Sequence, residues 1–171
     1  GIVVQGAFLL AFDLFHARWV PSAAPIFPPD IELFAGPKHL GFRLAADADP
    51  ASGGRADNGA LLLHGFGGTP AELRGLATVL ASEGWVVEVP LLPGFGPEIR
   101  RLPDVRYEDW VAEADAAAAR LRADAGGRLL LLGHSMGASL ALAMAGRLRP
   151  DGVVILAPFL WPEPAWLRAG A

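Results

Sequence analysis

Ser135 stands between two glycines in the run Gly133-His134-Ser135-Met136-Gly137. Four leucines, 129–132, lead into it and small apolar residues follow, the pattern of a buried strand entering a helix. G-x-S-x-G in that context is the signature of a nucleophilic serine on a sharp turn. The glycines have a steric reason. Positions two before and two after the serine approach neighbouring backbone, and a Cβ there would collide. Ser135 is therefore expected in a strained conformation that lifts its hydroxyl above the sheet edge. The following helix aims its positive end at the same place and favours developing negative charge. Gly133, His134 and Gly137 support this turn.

A serine that attacks an acyl carbon also needs hydrogen-bond donors for the oxyanion that forms. Met136, directly after the serine, offers one backbone N–H. The stretch "LLLHGFGGTP", residues 61–70, offers the second, with the Phe66 N–H as the candidate donor. His64 and Gly65 precede it and read as supports for the loop, His64 as a structural anchor and not a base. Phe66, Phe95, Phe159 and Trp161 are candidates to line an apolar acyl site, with core packing as their ordinary alternative.

The elements that must position these groups are legible from about Ala60 onward. "ALLLHG" and "RLLLLG" are continuous apolar runs of the kind buried parallel strands use. "WVVEVPLL" and "GVVILAPF" are two more strands, the first broken by Pro90 and Pro93. Helices are expected from Pro70, from Tyr107 to Ala125 and over 136–148. Thr69 and Glu72 fit a capping box around Pro70 at the first helical position, and Gly84 fits the stop. Leu73, Leu76, Ala77 and Leu80 would form the apolar stripe. Residues 31–36 and 39–44 read as a weak strand pair, 45–59 as a loop, and the stretch through Pro103 as another loop. Strands alternating with helices predict an α/β fold, a mostly parallel sheet covered on both faces.

The totals agree with one such domain. Of 171 residues, 53% are hydrophobic and 19% charged, enough apolar surface to offset the entropy of ordering. A net charge of −4, with Lys38 the only lysine and the arginines scattered, offers no footprint for nucleic acid. With no cysteine, disulfides and thiolate chemistry are excluded, and the four histidines (His16, His39, His64, His134) are too dispersed for a metal pair. Neither a metal nor a cofactor is expected. Residues 1–29 form a separate stretch, an apolar segment followed by a connector with Pro21, Pro25, Pro28 and Pro29. Its uncharged first 12 residues fall short of the roughly 20 that span a bilayer. They read as a helix packed on its own domain, or as the stub of a membrane anchor that would associate residues 1–20 with a membrane. A cytoplasmic or membrane-associated location follows.

Residues 61–96, followed by "YEDW" and then "LLLLGHSMGASLALAMA", resemble the α/β-hydrolase superfamily, most of all its bacterial carboxylesterase and monoacylglycerol-lipase group. The resemblance covers about residues 58–160 and implies a serine hydrolase acting on a small apolar carboxylic ester. Ser135 would be the nucleophile, and Phe66 and Met136 the oxyanion donors. Ala138 departs from the second glycine that many relatives carry. In this fold the catalytic acid and then the histidine follow the serine along the chain. After Ser135 the only acids are Asp151 and Glu163, and no histidine follows. Neither acid occupies the family's position, so the triad acid and histidine are not present in this chain. Residues 30–171 are thus expected to be the N-terminal part of a hydrolase domain, stopping where a cap begins. Such a chain would keep only a residual rate enhancement.

Two other readings remain. A hydrolase-like domain without catalysis would serve as a binding module. A dinucleotide-binding domain would use Gly65, Gly67 and Glu88, although Pro70 breaks the G-x-G-x-x-G pattern.

Overall fold

The computed structural model describes Phe34, residues 36–45 and residues 58–158. The apolar segment and connector of residues 1–29, and Phe159, Trp161 and Glu163, lie outside the described residues.

Among the described residues, five strands form one sheet: β1 (Phe42–Leu44), β2 (Asn58–Leu63), β3 (Trp85–Val89), β4 (Leu129–His134) and β5 (Gly152–Leu156), in the order β1-β3-β2-β4-β5. Strands β2 to β5 pair in parallel, and β1 closes one edge antiparallel to β3. The described residues also hold three α-helices that follow strands: α1 (Arg74–Ser82), α2 (Tyr107–Asp124) and α3 (Met136–Leu148).

The leucine runs make sense in this sheet because both faces of β2 and β4 are covered. Leu61, Leu63, Leu129 and Leu131 turn to one face and pack with Trp110, Ala114, Ala117 and Leu121 of α2 and Leu140 and Met144 of α3. Ala60, Leu62 and Leu132 turn to the other, with Val87, Val89, Leu73 and Ala77. Side chains alternate across a strand, so a run with no polar position is what a doubly covered strand requires. Ala114, Ala117 and Ala118 of α2 are almost entirely buried and let that helix lie close on the sheet.

Three expectations change. Of the expected strand pair, residues 31–33 and 35 lie outside the described residues. Pro37–His39 is a short 3-10 turn, and β1 pairs with β3, with Arg43 opposite Glu88 and ion-paired to it at 3.2 Å. An opposite-charge cross-strand pair stabilises that register. Strand β2 begins at Asn58, inside the expected loop, because the Gly59 N–H finds the Arg128 carbonyl at 2.8 Å. The expected loop before Pro103 contains a 3-10 helix, Gly96–Asp104, opened by Pro97. Pro70–Leu73 is likewise a 3-10 turn before α1, and the capping box does not form. Thr69 Oγ1 instead meets His39 Nδ1 at 2.9 Å, and Glu72 turns back toward Gly65.

Among the described residues, no helix is long and apolar enough to cross a membrane.

Candidate active site

Strands β2 and β4 are neighbours at the centre of the sheet, with Leu63 level with Gly133. Both run the same way, so the loops leaving their C-terminal ends emerge side by side, the ordinary place for a site in a parallel sheet.

Ser135 sits where β4 becomes α3, with φ 52° and ψ −116°. A residue with a side chain rarely adopts a positive φ, and holding one there costs on the order of 1–3 kcal/mol. Contacts on every side enforce it. A Cβ at Gly133 would run into the Gly137 carbonyl and come within 2.5 Å of Ala138 Cα. One at Gly137 would strike the Leu63 carbonyl and lie 2.5 Å from the His64 carbonyl oxygen. The two glycines therefore let the turn fold on itself and press onto the end of β2. The Ser135 N–H donates to the Leu156 carbonyl at 2.9 Å, which ties the turn to the end of β5. Ser135 is half-buried, within reach of solvent, whereas the Met136 side chain is buried in the core. As the first residue of α3, Met136 has no intrahelical carbonyl for its N–H.

The loop after β2 passes directly against this turn. A Cβ at Gly65 would lie 3.1 Å from Ser135 Cβ and 3.3 Å from His134 Nδ1. Phe66, next along, is 41% exposed, and its ring stands edge-on to the fully buried Phe95. Phe95 also packs edge-on against His64 and beside Trp110, whose Nε1–H donates to the Pro93 carbonyl. Phe95 is thus a core residue that supports Phe66 from beneath, not an exposed lining residue.

His64 is completely buried, with both ring nitrogens engaged. Its Nε2 accepts the Leu92 N–H at 3.1 Å, so the hydrogen resides on Nδ1, which donates to the Gly65 carbonyl at 3.0 Å. Burial pushes its pKa below the ordinary 6.5, only partly opposed by the Gly65 bond and the Glu72 charge. This neutral ring holds the loops after β2 and β3 together.

His134, beside Ser135 in sequence, directs Nδ1 to Glu72 Oε1 at 3.0 Å. The same oxygen accepts the Gly65 N–H at 2.6 Å. Sequence reading assigned Glu72 to a helix cap and missed this arrangement. Its one signal is position, seven residues beyond Gly65.

The remaining acids lie elsewhere. Asp151 precedes β5, at the opposite end of the sheet from Ser135, and accepts the Leu129 N–H at 2.7 Å. Glu88, the ribose-binding candidate of the dinucleotide reading, is buried and paired with Arg43 at 3.2 Å and Arg120 at 2.8 Å. The Arg120 guanidinium is held more firmly protonated by Glu88 first and Glu113 second. Among the described residues, no cluster of three His, Asp or Glu side chains could hold a metal ion.

Comparison with known proteins extends this picture. The chain is 32% identical over 104 residues to the thermostable monoacylglycerol lipase of Bacillus sp. (strain H-257), covering 61% of this chain and 41% of that enzyme. A solved structure from work on LipS and LipT, two metagenome-derived lipolytic enzymes, aligns with a TM-score of 0.65 at 27% identity, over 78% of this chain and 51% of the other. The thioesterase domain from the curacin biosynthetic pathway shares the fold, with a TM-score of 0.57 at 23% identity over 75% of this chain and 45% of its own. The chain therefore spans about half the length of these relatives, or less. Residues 60–171, which hold both loops and the central strands, match the model of the alpha/beta hydrolase family. A parallel sheet with a strained serine at the end of β4 is the expected architecture of that family, and the chain belongs to it.

Proposed function

We propose that Ser135 is the nucleophile of a carboxylic ester hydrolase that works through an acyl-serine intermediate, with the Met136 and Phe66 N–H groups receiving the oxyanion. The observation that carries the reading is the backbone of Ser135. Arg149 caps α3 in the ordinary left-handed region, at φ 46° and ψ 57°, whereas Ser135 combines φ 52° with ψ −116°, boxed in by two glycines and pressed against the Gly65 loop, which is strain that a helix cap does not need. Its Oγ attacks the acyl carbon, the carbonyl π electrons move onto oxygen, and collapse of that tetrahedral species expels the alcohol. Water then releases the acid. The lipolytic relatives and the exposed Phe66 ring support a small apolar ester as substrate.

Attack requires a base to take the serine proton. Neutral, buried His64 has no nitrogen left for that task, and no histidine follows Ser135. The 171-residue chain is therefore expected to hydrolyse esters only at a residual level, roughly 10³–10⁴ over water. The test is covalent labelling by a fluorophosphonate, with imidazole added as an external base and the labelled residue read by mass spectrometry. The wild-type chain should be modified at Ser135, faster with imidazole, and Ser135→Ala should not be modified. Modification that persists in Ser135→Ala overturns the assignment. A wild-type chain that stays unlabelled overturns it too and leaves the binding-module reading in place.

A further inference from the structure

Glu72 lies in a short 3-10 turn, yet its side chain makes its contacts across the mouth of the sheet. Oε1 takes the Gly65 N–H at 2.6 Å and faces His134 Nδ1 at 3.0 Å. Its second oxygen occupies the space that a Gly68 side chain would fill. Gly65 immediately precedes Phe66, and His134 immediately precedes Ser135. One carboxylate oxygen thus bridges the residues next to the two positions that matter, with Glu72 reaching His134 across 62 residues of sequence.

We propose that Glu72 is a positioning residue for the oxyanion hole, setting the gap between the loop that carries the Phe66 N–H and the turn that carries Ser135 and Met136. The inference rests on the assignment of Ser135 as nucleophile. Glu72 acts through Gly65 and His134. Backbone N–H to carboxylate bonds are short and charge-assisted, about twice as strong as neutral ones. His134 must present Nδ1–H to the carboxylate, which leaves its Nε2 turned away from Glu72. A bare carboxylate this close to a developing oxyanion would oppose it. Two donors converging on one oxygen spread that charge and remove much of the opposition. Fixing the donors in advance is what makes such a site effective, since a displacement of about 1 Å costs about a hundredfold in rate.

The experiment compares the 15N-labelled full chain with Glu72→Gln and Glu72→Ala. In Glu72→Ala the Gly65 amide proton should move upfield and exchange about tenfold faster, the effect of losing one charge-assisted hydrogen bond. In the imidazole-supported phosphonate reaction, the maximal inactivation rate should fall about tenfold in Glu72→Ala and about threefold in Glu72→Gln, with the half-saturating concentration unchanged, because the defect lies in positioning and not in binding. Glu72→Gln keeps the shape and one acceptor, so it carries the test if the alanine variant fails to fold. An unchanged Gly65 amide, or an unchanged inactivation rate in variants that react at Ser135, overturns the proposal. Labelling that survives Ser135→Ala instead overturns the nucleophile assignment, and the Gly65 amide still judges the bridge on its own.

Discussion

The sheet carries two strand-to-helix turns side by side, and they solve the same problem in opposite ways. After β4 the chain enters α3 at once, with the whole reversal concentrated in Ser135 at φ 52°. After β2 it wanders through Gly65, Phe66, Gly67 and Gly68 and a 3-10 turn before α1 begins at Arg74. In that loop the positive φ falls on Gly67, at 71°, where it costs little. The first turn presents a side chain, and the strain is held by backbone packed against backbone. The second presents backbone, and it is shaped by side chains brought to it, His64 from below and Glu72 from beside. A rigid turn suits the nucleophile proposed for Ser135, whose one torsion must be right. A loop held by two polar anchors suits the donor proposed at Phe66, whose spacing must be set.

That contrast breaks most readily at the glycines. Gly133→Ala meets the Gly137 carbonyl and Ala138 Cα, atoms of main chain that cannot step aside, and is expected to cost about 3 kcal/mol or more. Gly67→Ala has open space around it and incurs only the left-handed penalty, about 1 kcal/mol. Urea midpoints of the two variants measure the difference, and equal losses would erase the distinction between the turns. Ser135→Gly sharpens it from the other side. Removing the side chain at φ 52° should stabilise the protein by about 1 kcal/mol while abolishing phosphonate labelling. A destabilised Ser135→Gly would mean that the strain is not there.

The smallest effect concerns the anchor of the β2 loop. His64 is buried and neutral with a pKa below 6.5, so as pH falls the unfolded chain takes up its proton first. Its contribution is complete above 6.5 and is lost as pH drops from there through the lowered folded-state value. The stability gap between wild type and His64→Gln, measured by denaturant titration, should therefore narrow on acidification below 6.5. A gap that is constant across that range would show that the buried ring does not titrate with folding.

How far the sequence revealed each turn follows the same division. Strand β4, the Ser135 turn and α3 were legible nearly to the residue, because backbone collisions demand glycine at fixed spacing and leave a local mark. The buried runs of β2 and β4 and the period of α2 were equally local. The loop after β2 showed its glycines but not its supports. Glu72 and Thr69 satisfy a capping-box spacing, yet stronger acceptor and donor partners from distant segments, Gly65, His134 and His39, outcompete the local bonds. The pairing of β1 with β3 was hidden for the same reason, since nothing near Arg43 in sequence indicates Glu88, 45 residues away. The 3-10 helix at 96–104 has no apolar repeat long enough to be heard above its prolines. Phe95 could be placed in a core or a pocket by composition alone. Only the packing of His64, Phe66 and Trp110 around it decides for the core.

The hydrogen bond from the Ser135 amide to the Leu156 carbonyl bears on how the molecule is made. During synthesis, Ser135 leaves the ribosome well before Leu156, and until β5 docks the bend lacks the acceptor that pins it. A nascent chain ending at Leu148 would hold every residue of the motif and still have a slack bend. The reactivity proposed for this serine would thus be coupled to arrival of a later strand, and a series of stalled chains of increasing length should gain phosphonate labelling only once β5 has emerged.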